Sequence, residues 1–130
     1  MSTHLVSVVI DAVDPPALAR WWSAALGWPI SFEEDEEVVV EPLGSDLEDR
    51  VPALVFVPVP EAKAAKNRVH LDVRAAPGLQ GEERMTALEA ECDRLVGLGA
   101  ARVRRYEPAP PMSAGFIVMT DPEGNVFCLD

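Results

Sequence analysis

Two side chains in the second half of the chain, those of His70 and Cys128, are suited to chemistry. His70 lies in an alternating stretch at residues 68–74 (RVHLDVR), and Cys128 lies in a short apolar run at residues 126–129 (VFCL). An imidazole and a thiol can bind a metal ion together, or they can act as base and nucleophile. A cysteine that only packs as a small apolar residue is the third interpretation. The strand face on which each residue lies helps to decide among these three interpretations.

Successive side chains of a strand point to opposite faces of its sheet, so alternation assigns these faces. In residues 68–74 the apolar side is Val69, Leu71 and Val73, which we expect under a helix. The other side is His70, Asp72 and Arg74. Cys128 alternates with the bulky Phe127 and Leu129, and Ser7 alternates with Val6 and Val8. We therefore expect Ser7, His70 and Cys128 on one surface that no helix covers.

The elements that carry these residues repeat along the chain. The pattern predicts strands at residues 5–11, 30–33, 37–41 and 53–57, with a helix after Asp14 that ends at Gly27. It then predicts strands at 68–74, 101–106, 116–120 and 126–129, with a helix at about 82–98. This order of strand, helix and three strands, repeated after roughly 70 residues, indicates an internal duplication and an α+β fold.

Composition narrows the classes of partner. The chain has 130 residues and a net charge of −11, which argues against binding nucleic acid or an anionic membrane surface. No apolar run approaches the ~20 residues of a membrane span, and the N-terminus lacks the pattern of a signal peptide. We expect a cytoplasmic protein in which the two cysteines are thiols.

Three stretches resemble a known family: DPPALARWWSAALGW at 14–28, KNRVHLDV at 66–73 and DPEGNVFCLD at 121–130. They are similar to the glyoxalase-like domains of the vicinal oxygen chelate superfamily. The resemblance implies two βαβββ modules with mixed sheets curling around a cleft, often in a homodimer. It places one domain at 1–130, with module one at about 1–60 and module two at about 66–130. Members include metal-dependent isomerases, lyases, dioxygenases and thiol transferases, and metal-free proteins that sequester antibiotics such as bleomycin.

The metal-dependent members bind their ion through four residues, typically His, Glu or Gln, His and Glu. The resemblance carries these positions onto Ser7, Val57, His70 and Cys128, of which only His70 is a good match. Because Val57 cannot bind a metal and Ser7 is a poor ligand, we expect no usual metal site and no cofactor. A divalent ion (Zn, Ni, Fe or Mn) held by His70 and Cys128, with Asp72 as third ligand, is the alternative.

One local excess of positive charge, ARVRRYE at 101–107, adds candidate ligand-binding residues. Alternation puts Arg102 and Arg104 on one strand face, where together with Arg74 they would hold a carboxylate or phosphate. Exposed arginines that deter pairing at a sheet edge are the other interpretation.

The sequence thus predicts a small-molecule-binding protein without the usual metal site, which sequesters a small organic or antibiotic-like ligand. The predicted ligand-binding residues are Ser7, Val57, His70, Asp72, Arg74, Arg102, Arg104 and Cys128. Two other functions stay open: a divalent-metal-dependent lyase, isomerase or dioxygenase that uses His70, and an interaction module with a vestigial cleft. For Cys128 itself, packing in the wall and nucleophilic attack with His70 as base both stay open.

Overall fold

The computed structural model describes residues 3–44 and 51–130, which form two compact units, Met1–Ala62 and Lys63–Asp130. The first unit contains β1 (Ser7–Ala12), α1 (Pro15–Leu26), β2 (Ile30–Glu34), β3 (Glu37–Val40) and β4 (Ala53–Pro58). The second contains β5 (Leu71–Val73), α2 (Gly81–Gly97), β6 (Ala101–Tyr106), β7 (Phe116–Thr120) and β8 (Val126–Leu129). The predicted α+β class with two βαβββ units is confirmed. Neither described helix is long and apolar enough to cross a membrane.

Each unit contains a mixed four-stranded sheet with the same internal order of strands. The order is β1-β4-β3-β2 in the first unit and β5-β8-β7-β6 in the second. In both sheets the first strand runs parallel to the last, and the other neighbours are antiparallel. The shared topology is what a duplicated unit predicts.

The helix of the first unit forms where its end signals predict it. The carboxylate of Asp14 accepts a hydrogen bond from the Ala17 N–H at 3.2 Å, which satisfies one of the free donors of the first turn. Leu18 and Trp22 are buried on the apolar stripe. Gly27 ends the helix with a φ of 70°, a left-handed conformation that costs glycine little.

The core of the second unit lies between α2 and one face of its sheet. The buried side chains of α2 include Met85, Leu88, Cys92 and Leu95. The fully buried sheet residues are Ile117, Met119, Phe127 and Leu129. Cys92 belongs to this core, since none of its surface is exposed.

The first strand of the second unit is shorter than the sequence predicts. Residues 68–74 alternate cleanly, but only Leu71–Val73 form the strand. One position upstream of the ladder, the N–H of Val126 donates instead to the side-chain oxygen of Asn67 at 3.0 Å. Val69, predicted under the helix, is therefore outside the strand and 73% exposed.

The turn before β8 is built around the buried carboxylate of Asp121. One oxygen accepts hydrogen bonds from the N–H groups of Glu123 and Asn125 at 2.9 and 3.0 Å. The other accepts from the Asn125 side chain at 2.9 Å, and the residue is only 3% exposed. This network sets where β8 begins.

We predict that Asp121→Ala lowers the free energy of unfolding by about 2–4 kcal/mol, because it removes three hydrogen bonds to a buried carboxylate and leaves two partly buried backbone donors without their acceptor. Asp14→Ala, which removes an exposed helix cap, should cost only about 1 kcal/mol. Urea unfolding of both variants measures the difference. Equal losses for the two variants would show that the turn does not organise the strand.

Candidate functional site

A pocket of about 220 Å³ opens on the surface of the second unit. Three segments form its wall: His70 and Asp72 at β5, residues 113–116 at the start of β7, and Cys128 and Asp130 at the end of β8. The wall therefore combines an imidazole, a thiol and two carboxylates with the ring of Phe116.

Strand register places the central residues of this wall on one face of the sheet. Asp72 lies directly opposite Cys128 in the parallel β5–β8 pair. Cys128 in turn lies opposite Val118 in the antiparallel β7–β8 pair. Phe127 and Leu129, whose side chains point to the other face, are almost completely buried. The helix-covered core thus holds the strand that presents Cys128 to the pocket.

Three potential ligand atoms converge in the pocket. One atom each from the His70 imidazole, the Asp72 carboxylate and the Cys128 thiol lie within 4.8 Å of one another. The His70 Nε2 is 3.4 Å from the Asp72 Oδ1, and both of these side chains are more than half exposed. Cys128 is only 7% exposed. The exposed side chains of His70 and Asp72 thus lie beside a buried thiol whose position is fixed by the sheet.

The thiol of Cys128 is in an environment that favours its neutral form. Burial raises its pKa above the usual value, and the negative charges of Asp72 and Asp130 raise it further. Since the thiolate is the nucleophile, the free protein at neutral pH presents a protonated and weakly reactive thiol. This electrostatic environment argues against the interpretation of Cys128 as a nucleophile.

A buried arginine on α2 ties two segments of the wall together. Arg84 donates hydrogen bonds to the carbonyl oxygens of Ala114 and Gly115 and to the Asp130 carboxylate, each at 2.8 Å. Its residue exposure is only 8%. Arg84 is not among the residues that the sequence patterns predict at the site. The sequence feature that could have pointed to Arg84 is a positively charged residue on the apolar stripe of the helix, four positions before Leu88.

Two of the predicted site residues, Ser7 and Val57, lie in the first unit. Ser7 is opposite Ala53 in the β1–β4 pair, and Val57 is opposite Asp11. By alternation both share the sheet face of Val9, and both are half-buried. Their role in binding a ligand stays a prediction.

The prediction that Arg102 and Arg104 share a strand face is wrong. The β6–β7 register shifts between these two residues, so Arg102 lies opposite the buried Met119 and Arg104 lies opposite Val118. Arg102 binds Glu89 of α2 at 2.7 Å. Arg104 is on the other face, with its guanidinium 4.5 Å from the centre of the Tyr106 ring. Arg74 follows β5 and is exposed, outside the pocket wall.

Phe116 and residues 113–115 also line the pocket, although they are not among the predicted ligand-binding residues. The Phe116 ring stacks on Tyr106 with centroids 4.6 Å apart and planes 12° apart, which fixes one side of the pocket. Alternation along β7 would have placed Phe116 on the face of Cys128. Residues 113–115 end the proline-rich loop at 107–115 and have no periodic pattern that points to the pocket.

Comparison with known proteins gives one family match. A model described as a glyoxalase-like domain matches residues 7–129. No curated protein sequence matches the chain significantly.

Solved structures share the fold at low sequence identity. A glyoxalase-related enzyme from Fulvimarina pelagi is 18% identical with a TM-score of 0.69, covering 98% of this chain and 87% of its own. A glyoxalase/bleomycin resistance protein/dioxygenase family enzyme from Burkholderia phytofirmans PsJN is 16% identical with a TM-score of 0.71, covering 98% and 97%. The fosfomycin resistance protein FosX from Listeria monocytogenes, complexed with Mn(II) and a sulfate ion, is 13% identical with a TM-score of 0.71, covering 99% and 90%. At these identities the likeness concerns the fold alone.

We predict that Asp72→Asn speeds alkylation of Cys128 by iodoacetamide roughly two- to fivefold at fixed pH in chelator-treated protein. Removing one neighbouring negative charge lowers the thiol pKa and so raises the thiolate fraction. Peptide mass spectrometry separates modification of Cys128 from that of Cys92. Asp93→Asn, which removes a carboxylate that raises the pKa of Cys92 instead, serves as control. An unchanged rate in Asp72→Asn would contradict the electrostatic account of the thiol.

Proposed function

The chain belongs to the glyoxalase-like domain family, and on that premise we propose that its second unit binds a small organic ligand in the pocket beside Cys128. The predicted resemblance to this family is confirmed. Because one fold supports many functions, the family alone does not identify the ligand or a reaction. We therefore infer binding from the pocket itself.

The observation that carries the proposal is the composition of the pocket wall. An aromatic ring, that of Phe116, adjoins a small set of polar groups on His70, Asp72 and Ser113. Such a combination is typical of small-molecule sites, where apolar surface supplies affinity and a few polar groups set orientation. The volume of about 220 Å³ is below the ~300–1,000 Å³ of most such sites. It suits a small ligand, or one functional group of a larger antibiotic-like molecule.

Sequestration requires binding without a reaction, and the Cys128 thiol fits that role. Its raised pKa keeps it neutral at physiological pH, so it contributes a polarizable surface rather than a nucleophile. Sequestration of an organic ligand also needs no metal ion. The resemblance puts Ser7, a poor metal ligand, and Val57, which cannot bind a metal, at two of the four usual metal positions. Assembly into a homodimer and a cytoplasmic location stay predictions.

A divalent-metal-dependent lyase, isomerase or dioxygenase is the second candidate function. The observation that favours it is the convergence of the His70, Asp72 and Cys128 ligand atoms within 4.8 Å. These are a nitrogen, an oxygen and a sulfur donor, and three protein ligands with an open position are the usual number at a catalytic ion. A bound ion there would supply Lewis-acid polarisation of a substrate oxygen. Mn(II) in the FosX structure is an instance of a metal bound by a protein of this fold.

We predict that fragments of a chemically diverse library bind the chelator-treated protein at this pocket. In amide NMR spectra of the isotope-labelled full chain, the hits should shift the signals of residues 113–116, Asp72 and Cys128. Ala114→Trp should weaken these hits by about tenfold or more, because a large side chain at this exposed wall position fills the pocket.

Ala109→Trp is the matched control, because Ala109 is also exposed and lies in the same loop but outside the pocket wall. Its spectra should show the same hits with unchanged affinity. Hits confined to other surfaces, or hits at the pocket that Ala114→Trp leaves unchanged, would contradict the proposal. A complete absence of hits would favour the interaction-module interpretation.

A further inference from the structure

We propose that the pocket of the second unit selects an organic cation, a molecule whose ammonium or amidinium group pairs with Asp72 while its apolar part packs against Phe116. This inference rests on the proposed function and specifies the charge of the ligand. It differs from the expectation drawn from the sequence, in which Arg74, Arg102 and Arg104 would hold a carboxylate or phosphate.

The arginines that would attract an anion lie outside the pocket. Among the described residues, no lysine or arginine belongs to the pocket wall. Arg102 pairs with Glu89 on α2 at 2.7 Å. The guanidinium of Arg104 lies 4.5 Å from the centre of the Tyr106 ring. An anionic ligand in the pocket would therefore lack a cation in the wall to pair with.

The buried Arg84 behind the wall is committed to the fold. Its Nη1 donates to the carbonyl oxygens of Ala114 and Gly115, and its Nη2 donates to the Asp130 carboxylate, each at 2.8 Å. The residue is only 8% exposed. The charge of Arg84 thus offsets that of Asp130 and does not face a ligand.

Backbone donors of the loop are also occupied. The N–H of Gly115 donates to the Ser113 hydroxyl at 3.0 Å, and the N–H of Ser113 donates to the Ala109 carbonyl at 3.1 Å. Protein sites that bind anions without lysine or arginine are commonly built from free backbone N–H groups. Because these two donors already have acceptors, this part of the wall does not form such a site.

The carboxylate of Asp72 is the charged group that stays available to a ligand. Its side chain is 61% exposed, and its contact in the pocket is the His70 imidazole at 3.4 Å, which in its neutral form does not cancel the charge. Burial raises the pKa of the Cys128 thiol, so the thiol adds no charge at neutral pH. The net charge of −11 on the whole chain further favours the approach of cations.

Phe116 supplies the apolar part of the site. Its ring is stacked on Tyr106 with the centroids 4.6 Å apart, which holds it in place. An aromatic face attracts apolar groups and cations alike. A cavity of about 150 Å³ is enough for benzene. The pocket volume of about 220 Å³ therefore leaves room for a phenyl ring with a small charged substituent.

The test compares three probes that share a phenyl ring and a planar substituent but differ in charge: benzamidine, benzamide and benzoate. The isotope-labelled, chelator-treated full chain is titrated with each at about pH 8, where free imidazole is neutral, and amide NMR spectra are recorded. Benzamidine should shift the signals of residues 113–116, Asp72 and Cys128. It should bind roughly three- to tenfold more tightly than benzamide, and benzoate should bind most weakly. Added salt should reduce the preference for benzamidine.

Two variants of equal charge test the role of Asp72. Asp72→Asn should bring the affinity for benzamidine to within about twofold of that for benzamide, because the paired charge is lost. Asp93→Asn changes the net charge equally at an exposed position on α2, outside the pocket wall, and should keep the wild-type preference. Phe116→Leu should weaken both probes alike and leave their ratio unchanged. Circular dichroism checks the folding of every variant.

Benzamide or benzoate that binds at the pocket as tightly as benzamidine would overturn the inference and leave the proposed function intact. A preference for benzamidine that is equal in Asp72→Asn and Asp93→Asn would overturn the assignment of Asp72. If none of the three probes shifted the pocket signals, the inference would also be overturned. The chemically diverse library, which contains uncharged fragments, would then decide the proposed function separately.

Discussion

The parallel pairing of β5 with β8 is the constraint on which the site depends. It places Leu71 opposite Phe127, Asp72 opposite Cys128 and Val73 opposite Leu129. The ladder continues past both strands, since Asp130 donates to the Val73 carbonyl at 2.8 Å and accepts from Ala75 at 2.9 Å. A slip of one residue would turn Cys128 into the core and Phe127 or Leu129 out of it. Burial of those two apolar side chains therefore maintains the register that brings Asp72 beside the thiol.

The charged groups around the pocket are a second constraint on the site. Two carboxylates and a thiol share a small pocket. Among the described residues, the only Lys or Arg side chain that forms an ion pair with one of them is the buried Arg84, which binds Asp130. Arg84 also binds two carbonyl oxygens of the loop, so it organises the wall as well as offsetting one charge. Asp72 is left with the neighbouring imidazole of His70. Burial and, to a smaller extent, the negative charges of Asp72 and Asp130 raise the pKa of the Cys128 thiol, so a cation bound between Asp72 and His70 would offset only part of that rise.

Sequence patterns predicted the repeated order of elements because strand and helix periodicities are local properties. The same alternation placed His70, Asp72 and Cys128 on one face, and the β5–β8 register pairs Asp72 with Cys128 on that face. It failed at Arg102 and Arg104, because a register shift inside β6 leaves no mark in the alternation of residue types. The contribution of Arg84 and of residues 113–115 to the pocket wall was not predicted, for another reason. Their contribution arises from contacts across about thirty residues of chain, which no local period encodes.

A crystal structure of the chelator-treated full chain, soaked with a fragment that binds in solution, tests the central claim most directly. The account predicts that the fragment lies in the pocket of the second unit, against the Phe116 ring and within hydrogen-bond distance of His70, Asp72 or Ser113. The Cys128 thiol should remain unmodified. A fragment bound only at other surfaces, or one bonded covalently to the Cys128 Sγ, would contradict it.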